Sequence, residues 1–150
     1  MIGVVQRVSQ ATVAIDGQMV GAIGKGLLIF LGVEDLDNEE DIQWLAKKIA
    51  YLRIFSDEEE KMNLSAVALE AEFLVISQFT LHASTKKGNR PSFIKAAKPE
   101  IAALLYEQFL NVLANYSIRP LQTGRFGADM QVSLVNDGPV TIIIDTKNKQ

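Results

Sequence analysis

EFLVISQF, residues 72–79, is the stretch on which the fold turns. Its apolar residues Phe73–Ile76 run without alternation, which fits a central strand covered on both faces rather than one with a face open to water. Such a strand delivers Ser77, Gln78 and Thr80 to its C-terminal end. Upstream, Ile42, Leu45, Ala46, Ile49 and Leu52 recur at helical spacing and predict a helix from about Glu39 to Arg53, with Trp44 packing near its edge. Asp37 and Asn38 both offer an N-cap, and Glu40 stands three residues after Asp37 in capping-box spacing. IF at 54–55 is short and extended, and SDEEEKMNLS reads as a polar loop.

The first third of the chain is a series of strands. IGVVQRVS is one, ATVAI and QMVGAI flank Asp16-Gly17 as a type I′ hairpin, and GLLIFLGV is a buried strand. Beyond the central strand, Pro99 suits the first turn of a second helix, with a stripe of Ile101, Leu104, Leu105, Phe109, Val112 and Leu113 reaching about Tyr116. IRPLQT, MQVSLV and VTIIID read as closing strands, with GRFGAD between the first two. VNDGPVT, residues 135–141, reads as a hairpin loop, because Asn136 and Asp137 tolerate left-handed backbone and Pro139 cannot donate to a ladder. The expectation is an α/β fold of layered mixed and antiparallel β-sheets, with two amphipathic helices on one outer face, as a single domain over residues 1–150.

The chain has no Cys and a single His, His82, so thiolate zinc sites and a cysteine nucleophile are excluded, and a Ser-His-Asp triad depends on one residue. The start, MIGVVQRVSQ, has no signal-peptide pattern, and no apolar run reaches bilayer length, so a cytoplasmic protein without membrane association is expected. The net charge of −3 is unevenly spread. Ten of the 18 acids fall between Glu34 and Glu60, whereas Leu81 to Pro99 holds no acid and five cations, Lys86, Lys87, Arg90, Lys95 and Lys98. That run reads either as a solvated face or as a local phosphate site.

Three stretches could meet at one mouth: SQFTL (77–81), GRFGADM (124–130) and NDGPVT (136–141). Hydroxyls and backbone N–H groups leaving a strand end can build an oxyanion site, although Ser and Thr there more often cap backbone. Neither a dinucleotide fingerprint nor a P-loop is present. Arg7, the one charge in an apolar first strand, is either an edge residue reaching for water or an anchor for another backbone.

SQFTL, KKGNRPSF (86–93) and TGRFGADMQVSLVNDGPVT (123–141), taken in this order, resemble the D-aminoacyl-tRNA deacylase family. The resemblance extends over VVQRVSQATV, GLLIFLGV and YLRIF, and so over essentially the whole chain. The family motifs S-Q-x-T-L and G-P-x-T stand intact as Ser77–Leu81 and Gly138–Thr141.

The resemblance implies hydrolysis of the ester joining a D-amino acid, or glycine, to the terminal adenosine of tRNA, as a proofreading step that needs neither metal nor cofactor. It implies a homodimer in which a cis Gly138-Pro139 peptide of one subunit enters the pocket of the other and senses the substrate α-carbon. It places the backbone N–H groups of Phe79 and Thr80 at the oxyanion, with the ribose 2′-hydroxyl assisting. Phe126 and Met130 then flank the adenine, Ser77 and Gln78 hold the pocket, and Arg7 steadies the inserted Gly-Pro. Thr80 as a covalent nucleophile is the competing mechanism. A hydrolase built on Ser77 or Thr80 with His82, and a non-catalytic RNA-binding module, are the alternatives from other classes.

Overall fold

A computed structural model describes all of residues 1–150. In chain order the elements are β1 (Ile2–Ile15), β2 (Gln18–Ile23), β3 (Gly26–Gly32), α1 (Glu39–Ala50), β4 (Phe55–Ser56), β5 (Met62–Leu64), β6 (Glu72–Ser77), α2 (Pro99–Ala114), β7 (Gln122–Thr123) and β8 (Gln131–Asp145), with a 3-10 turn at Phe79–His82. β1 is one strand where the sequence suggested two. Asp16 and Gly17 after it both have positive φ, as a type I′ hairpin requires. β2 and β3 pair antiparallel with β1 in a register that carries straight across from Ala11↔Ile23 to Val8↔Gly26 and on to Ile2↔Gly32.

MQVSLV and VTIIID are not the two arms of a hairpin. They are halves of β8, and both pair antiparallel with β1: Leu134 faces Ala11 and Ile143 faces Val4. Between Val8↔Asn136 and Gln6↔Thr141, residues 137–140 stand opposite Arg7 alone. DGPV is therefore a bulge extruded from a continuing strand. Proline's missing donor and glycine's open backbone are tolerated in a bulge as well as in a turn, and β1 is long enough to hold both apolar halves.

β3 pairs with β6, and β6 with β7, in parallel, so each pair needs a crossover; α1 supplies the first and α2 the second. β4 and β5 form a separate small hairpin: Phe55 lies in the stretch expected to be extended, while Ser56 and Met62–Leu64 lie in the region expected to be a polar loop. α1 and α2 pack against one another and lie on one face of the main sheet. Along β6, Phe73 and Val75 join the core under the helices, while Leu74 and Ile76 join a second core with Val8, Val13, Ile23 and Leu28. This two-sided burial explains the unbroken apolar run of residues 73–76. β2 also packs against β6 and β7, so the sheet curls and the second core lies within the curl.

The helix stripes differ in detail from the expectation. On α2 the buried residues are Ala102, Tyr106, Phe109 and Leu113, whereas Ile101 and Leu104 are exposed. α1 stops at Ala50, short of Arg53, and its capping box joins Asn38 to Asp41 rather than Asp37 to Glu40. Asn38 Oδ1 accepts from the N–H groups of Glu40 and Asp41, while the Asp41 carboxylate accepts from Asn38 N–H at 3.0 Å. Asp37 is buried instead, and accepts from the Met1 ammonium and from Glu34 N–H. Burial opposes the charge on Asp41, but hydrogen bonds from Lys147, Thr146 and the Asn38 backbone outweigh it and hold its pKa at about 2. No helix is long and apolar enough to cross a membrane.

Candidate active site

β6 ends at Ser77, and Gln78 N–H donates to Leu31 O at 2.8 Å, which fixes the strand end against β3. The chain then tightens into the 3-10 turn at Phe79–His82. Phe79 and Thr80 open that turn, so their N–H groups have no carbonyl within it to reach. Gln78 Nε2 donates to Thr80 Oγ1 at 3.0 Å. An amide is not a base in either orientation, so this bond does not activate the hydroxyl.

These residues border a cavity of about 540 Å³. Ser77, Gln78, Phe79 and Thr80 form one side; Phe126, Ala128 and Met130 come from the Gly-rich loop before β8; Phe93, Lys98, Ala102 and Tyr106 complete the wall. Tyr106 donates to Val75 O at 3.0 Å and its ring lies tilted on Phe126, with centroids 5.9 Å apart. α2 thus buttresses Phe126 against the end of β6. Burial, aided by Glu107, pushes the Tyr106 hydroxyl well above its ordinary pKa, so it stays protonated and cannot serve as a base near neutrality. His82 is buried, does not line the cavity, and leaves Nε2 without a hydrogen-bond partner. The cavity therefore offers backbone donors and apolar walls, with neither carboxylate nor imidazole among its lining residues.

The third stretch, NDGPVT, does not join the pocket of its own chain: neither Gly138 nor Pro139 lines it. The bulge stands over Arg7, whose Nε donates to Asp137 O and whose Nη1 donates to Ile54 O. Arg7 thus anchors two backbones, the second of the two readings its position allowed. The Gly138-Pro139 peptide is cis. Gly138 has φ 145°, and a Cβ there would lie 2.7 Å from Val140 Cγ2 and 3.1 Å from Arg7 Nη2, so only glycine fits without strain. Asn136 closes the bulge: its Oδ1 accepts from Val140 N–H at 2.7 Å and its Nδ2 donates to Thr141 Oγ1 at 3.0 Å.

Of the residues singled out in the sequence, Ser77, Gln78, Phe79, Thr80, Phe126 and Met130 share the cavity, while Arg7, Gly138 and Pro139 form a separate cluster on β1 and β8. Tyr106, Phe93 and the clamp at Asn136 lie outside the site residues the sequence singled out, and Lys98 is marked there only as part of the basic run. Tyr106 carries a signal, as a hydroxyl-bearing aromatic at the centre of the true α2 stripe; Asn136 reads only as a turn residue.

The profile of the D-Tyr-tRNA(Tyr) deacylase family matches residues 4–145. The chain belongs to the D-Tyr-tRNA(Tyr) deacylase family. Two D-aminoacyl-tRNA deacylases, from Bacteroides fragilis and Flavobacterium psychrophilum, are 63% and 62% identical to it over 147 residues, covering 98% of each chain. A solved structure of a c-Myc DNA unwinding element binding protein superposes with a TM-score of 0.93 at 39% identity, over 97% of this chain and 99% of that one. A probable eukaryotic D-amino acid tRNA deacylase, at 17% identity and a TM-score of 0.80, shares the fold over 95% of this chain and 97% of its own. As a member of this deacylase family the chain is a hydrolase.

Proposed function

We propose that this protein hydrolyses the ester of D-aminoacyl-tRNA, releasing the D-amino acid and tRNA, and that it acts in the cytoplasm as a homodimer. One observation carries the reading: Phe79 and Thr80, whose N–H groups have no carbonyl within their own turn to reach, line a largely apolar pocket that holds neither carboxylate nor imidazole, while the Gly-Pro bulge stands outside that pocket. An aminoacyl ester is already activated, so orienting it and holding the oxyanion supply much of the acceleration. Water adds to the ester carbonyl carbon, and the negative charge gathers on the oxygen facing the N–H groups of Phe79 and Thr80. The ribose 2′-hydroxyl assists the proton transfer. Collapse breaks the bond to the ribose oxygen, which leaves as a hydroxyl. Phe126, backed by Tyr106, and Met130 hold the adenine, and Ser77 and Gln78 supply the polar side of the pocket.

The dimer brings the Gly138 and Pro139 carbonyls of one chain into the pocket of the other, with Arg7 steadying them. β8 favours this arrangement, since it pairs only with β1 and carries exposed Val135 and Ile143 beside an unpaired edge. Backbone carbonyls placed at the α-carbon pass a D-residue of any side chain and clash with an L-residue. Glycine, with hydrogen in both places, also passes, so glycyl-tRNA is a substrate. The test is ester cleavage of D- and L-aminoacyl-tRNA carrying the same amino acid; equal rates on the two would overturn the reading.

A further inference from the structure

The cations between Leu81 and Pro99 are not spent on internal pairing. Lys86, Lys87, Arg90, Lys95 and Lys98 are all exposed, and none takes part in a salt bridge. The loop that carries them is held in shape. Ser84 and Ser92 exchange both backbone hydrogen bonds, at 2.8 and 2.9 Å, so residues 85–91 project from a closed base. Its far end is tied to the sheet by Ala97 N–H donating to Val33 O at 3.0 Å.

This loop is also a wall of the cavity, since Phe93, Ala97 and Lys98 line it. Phe93 meets Phe79 edge to face, with centroids 5.1 Å apart, and both rings keep exposed surface at the rim. α2 begins at the same place with Pro99 and without a side-chain cap, so the positive end of its dipole adds to the cations there, offset in part by Glu100. An aromatic rim followed by unpaired cations is the arrangement that holds single-stranded nucleic acid, bases on the rings and phosphates on the charges.

We propose that Ser84–Lys98 is the seat of the single-stranded 3′ end of the substrate tRNA, with Lys86, Lys87, Arg90, Lys95 and Lys98 taking its backbone phosphates and Phe93 stacking an unpaired base as the strand leaves the pocket. This rests on the deacylase reading. It explains how a chain of net charge −3 engages a polyanion: Leu81 to Pro99 carries five cations and no acid, and of the acid-rich stretch Glu34–Glu60 only its first residue, Glu34, pairs through its backbone with this segment, at Ala96.

The test compares two esters of one D-amino acid, on full-length tRNA and on adenosine alone, which has no phosphate. Lys86→Glu with Lys87→Glu lowers kcat/KM on the tRNA ester by about tenfold or more at low salt, and flattens the log–log salt dependence by about 0.7 for each phosphate no longer neutralised. The same variant cleaves the adenosine ester at the wild-type rate. Unchanged kcat/KM and salt slope on tRNA would overturn the inference. So would an equal loss on both esters, which would assign the lysines to the pocket's shape. The deacylase reading is judged separately, by whether the wild type cleaves either D-ester at all.

Discussion

Arg7 reaches two backbone carbonyls at once, donating from Nε to Asp137 at 2.8 Å and from Nη1 to Ile54 at 2.6 Å. Its side chain is only 11% exposed, with the bond to Ile54 partly buried and the bond to Asp137 at the exposed bulge. They join the bulge of β8 to the segment that follows α1. Lys keeps the charge but lacks the planar fork that serves two directions together. Arg7→Lys is therefore expected to cost about 1–3 kcal/mol of stability and to slow hydrolysis of D-aminoacyl-tRNA by more than that stability loss alone explains. Denaturant unfolding and single-turnover deacylation measure the two effects; deacylation within about twofold of wild type would separate Arg7 from the bulge's function.

Asn136 holds the same bulge from within, and Thr141 Oγ1, its partner, also accepts from Gln6 Nε2 at 3.1 Å. Asn136→Ala leaves Val140 N–H without its acceptor, and is expected to lower Tm by only about 2–4 °C while cutting deacylation severely. Asn136→Asp keeps the acceptor and loses the donor, so its rate should fall between the two. If Asn136→Ala and wild type deacylate equally, the clamp is structural only.

The fold is legible in the sequence where one physical pattern acts alone. The unbroken Phe73–Ile76 run marks a strand buried on both faces, and Asp16-Gly17 marks the turn between β1 and β2. SQFTL and the GRFGADM loop share one mouth, as expected of two segments that flank strand ends. VNDGPVT reads as a hairpin because composition cannot distinguish a turn from a bulge: the difference lies in β1, a partner long enough to pair on both sides of the extrusion. The α2 stripe slips for a similar reason. Ile101 and Leu104 are as apolar as the buried positions, and only packing against α1 and β6 selects the face carrying Ala102 and Tyr106.

Thr80 accepts a hydrogen bond from an amide and has no imidazole or carboxylate beside it in the pocket. If its backbone N–H is what stabilises the oxyanion, Thr80→Ala retains single-turnover activity to within about tenfold of wild type, since loss of a true nucleophile costs several orders of magnitude. Mass spectrometry of quenched reactions provides the second readout. An acyl group found on Thr80 in the wild type would contradict the backbone mechanism.

The Asn38–Asp41 box, tied to Lys147, sets an acid limit on stability. The pKa of Asp41 is lowered from 3.8 to about 2 on folding, so the unfolded chain binds its proton more readily. Its contribution is complete above about pH 4 and is lost as pH falls through about 2. Asp41→Asn should therefore be less stable than wild type by about 2 kcal/mol at neutral pH, with the gap closing in acid. Denaturant titrations at neutral pH and near pH 2 test this; a gap independent of pH would assign the effect to packing.

If the pocket of one chain is completed by the bulge of another, two inactive proteins should rescue each other when mixed. One carries Ala128→Trp, which fills the cavity, and the other Arg7→Ala, which releases the bulge. Each alone should fail to deacylate D-aminoacyl-tRNA. After unfolding and refolding together, random pairing gives each mixed dimer one intact pocket facing one intact bulge, and activity should return to about a quarter of wild type. A mixture as inactive as its components, with mixed dimers demonstrated by mass spectrometry, would show instead that each pocket works without its partner's bulge.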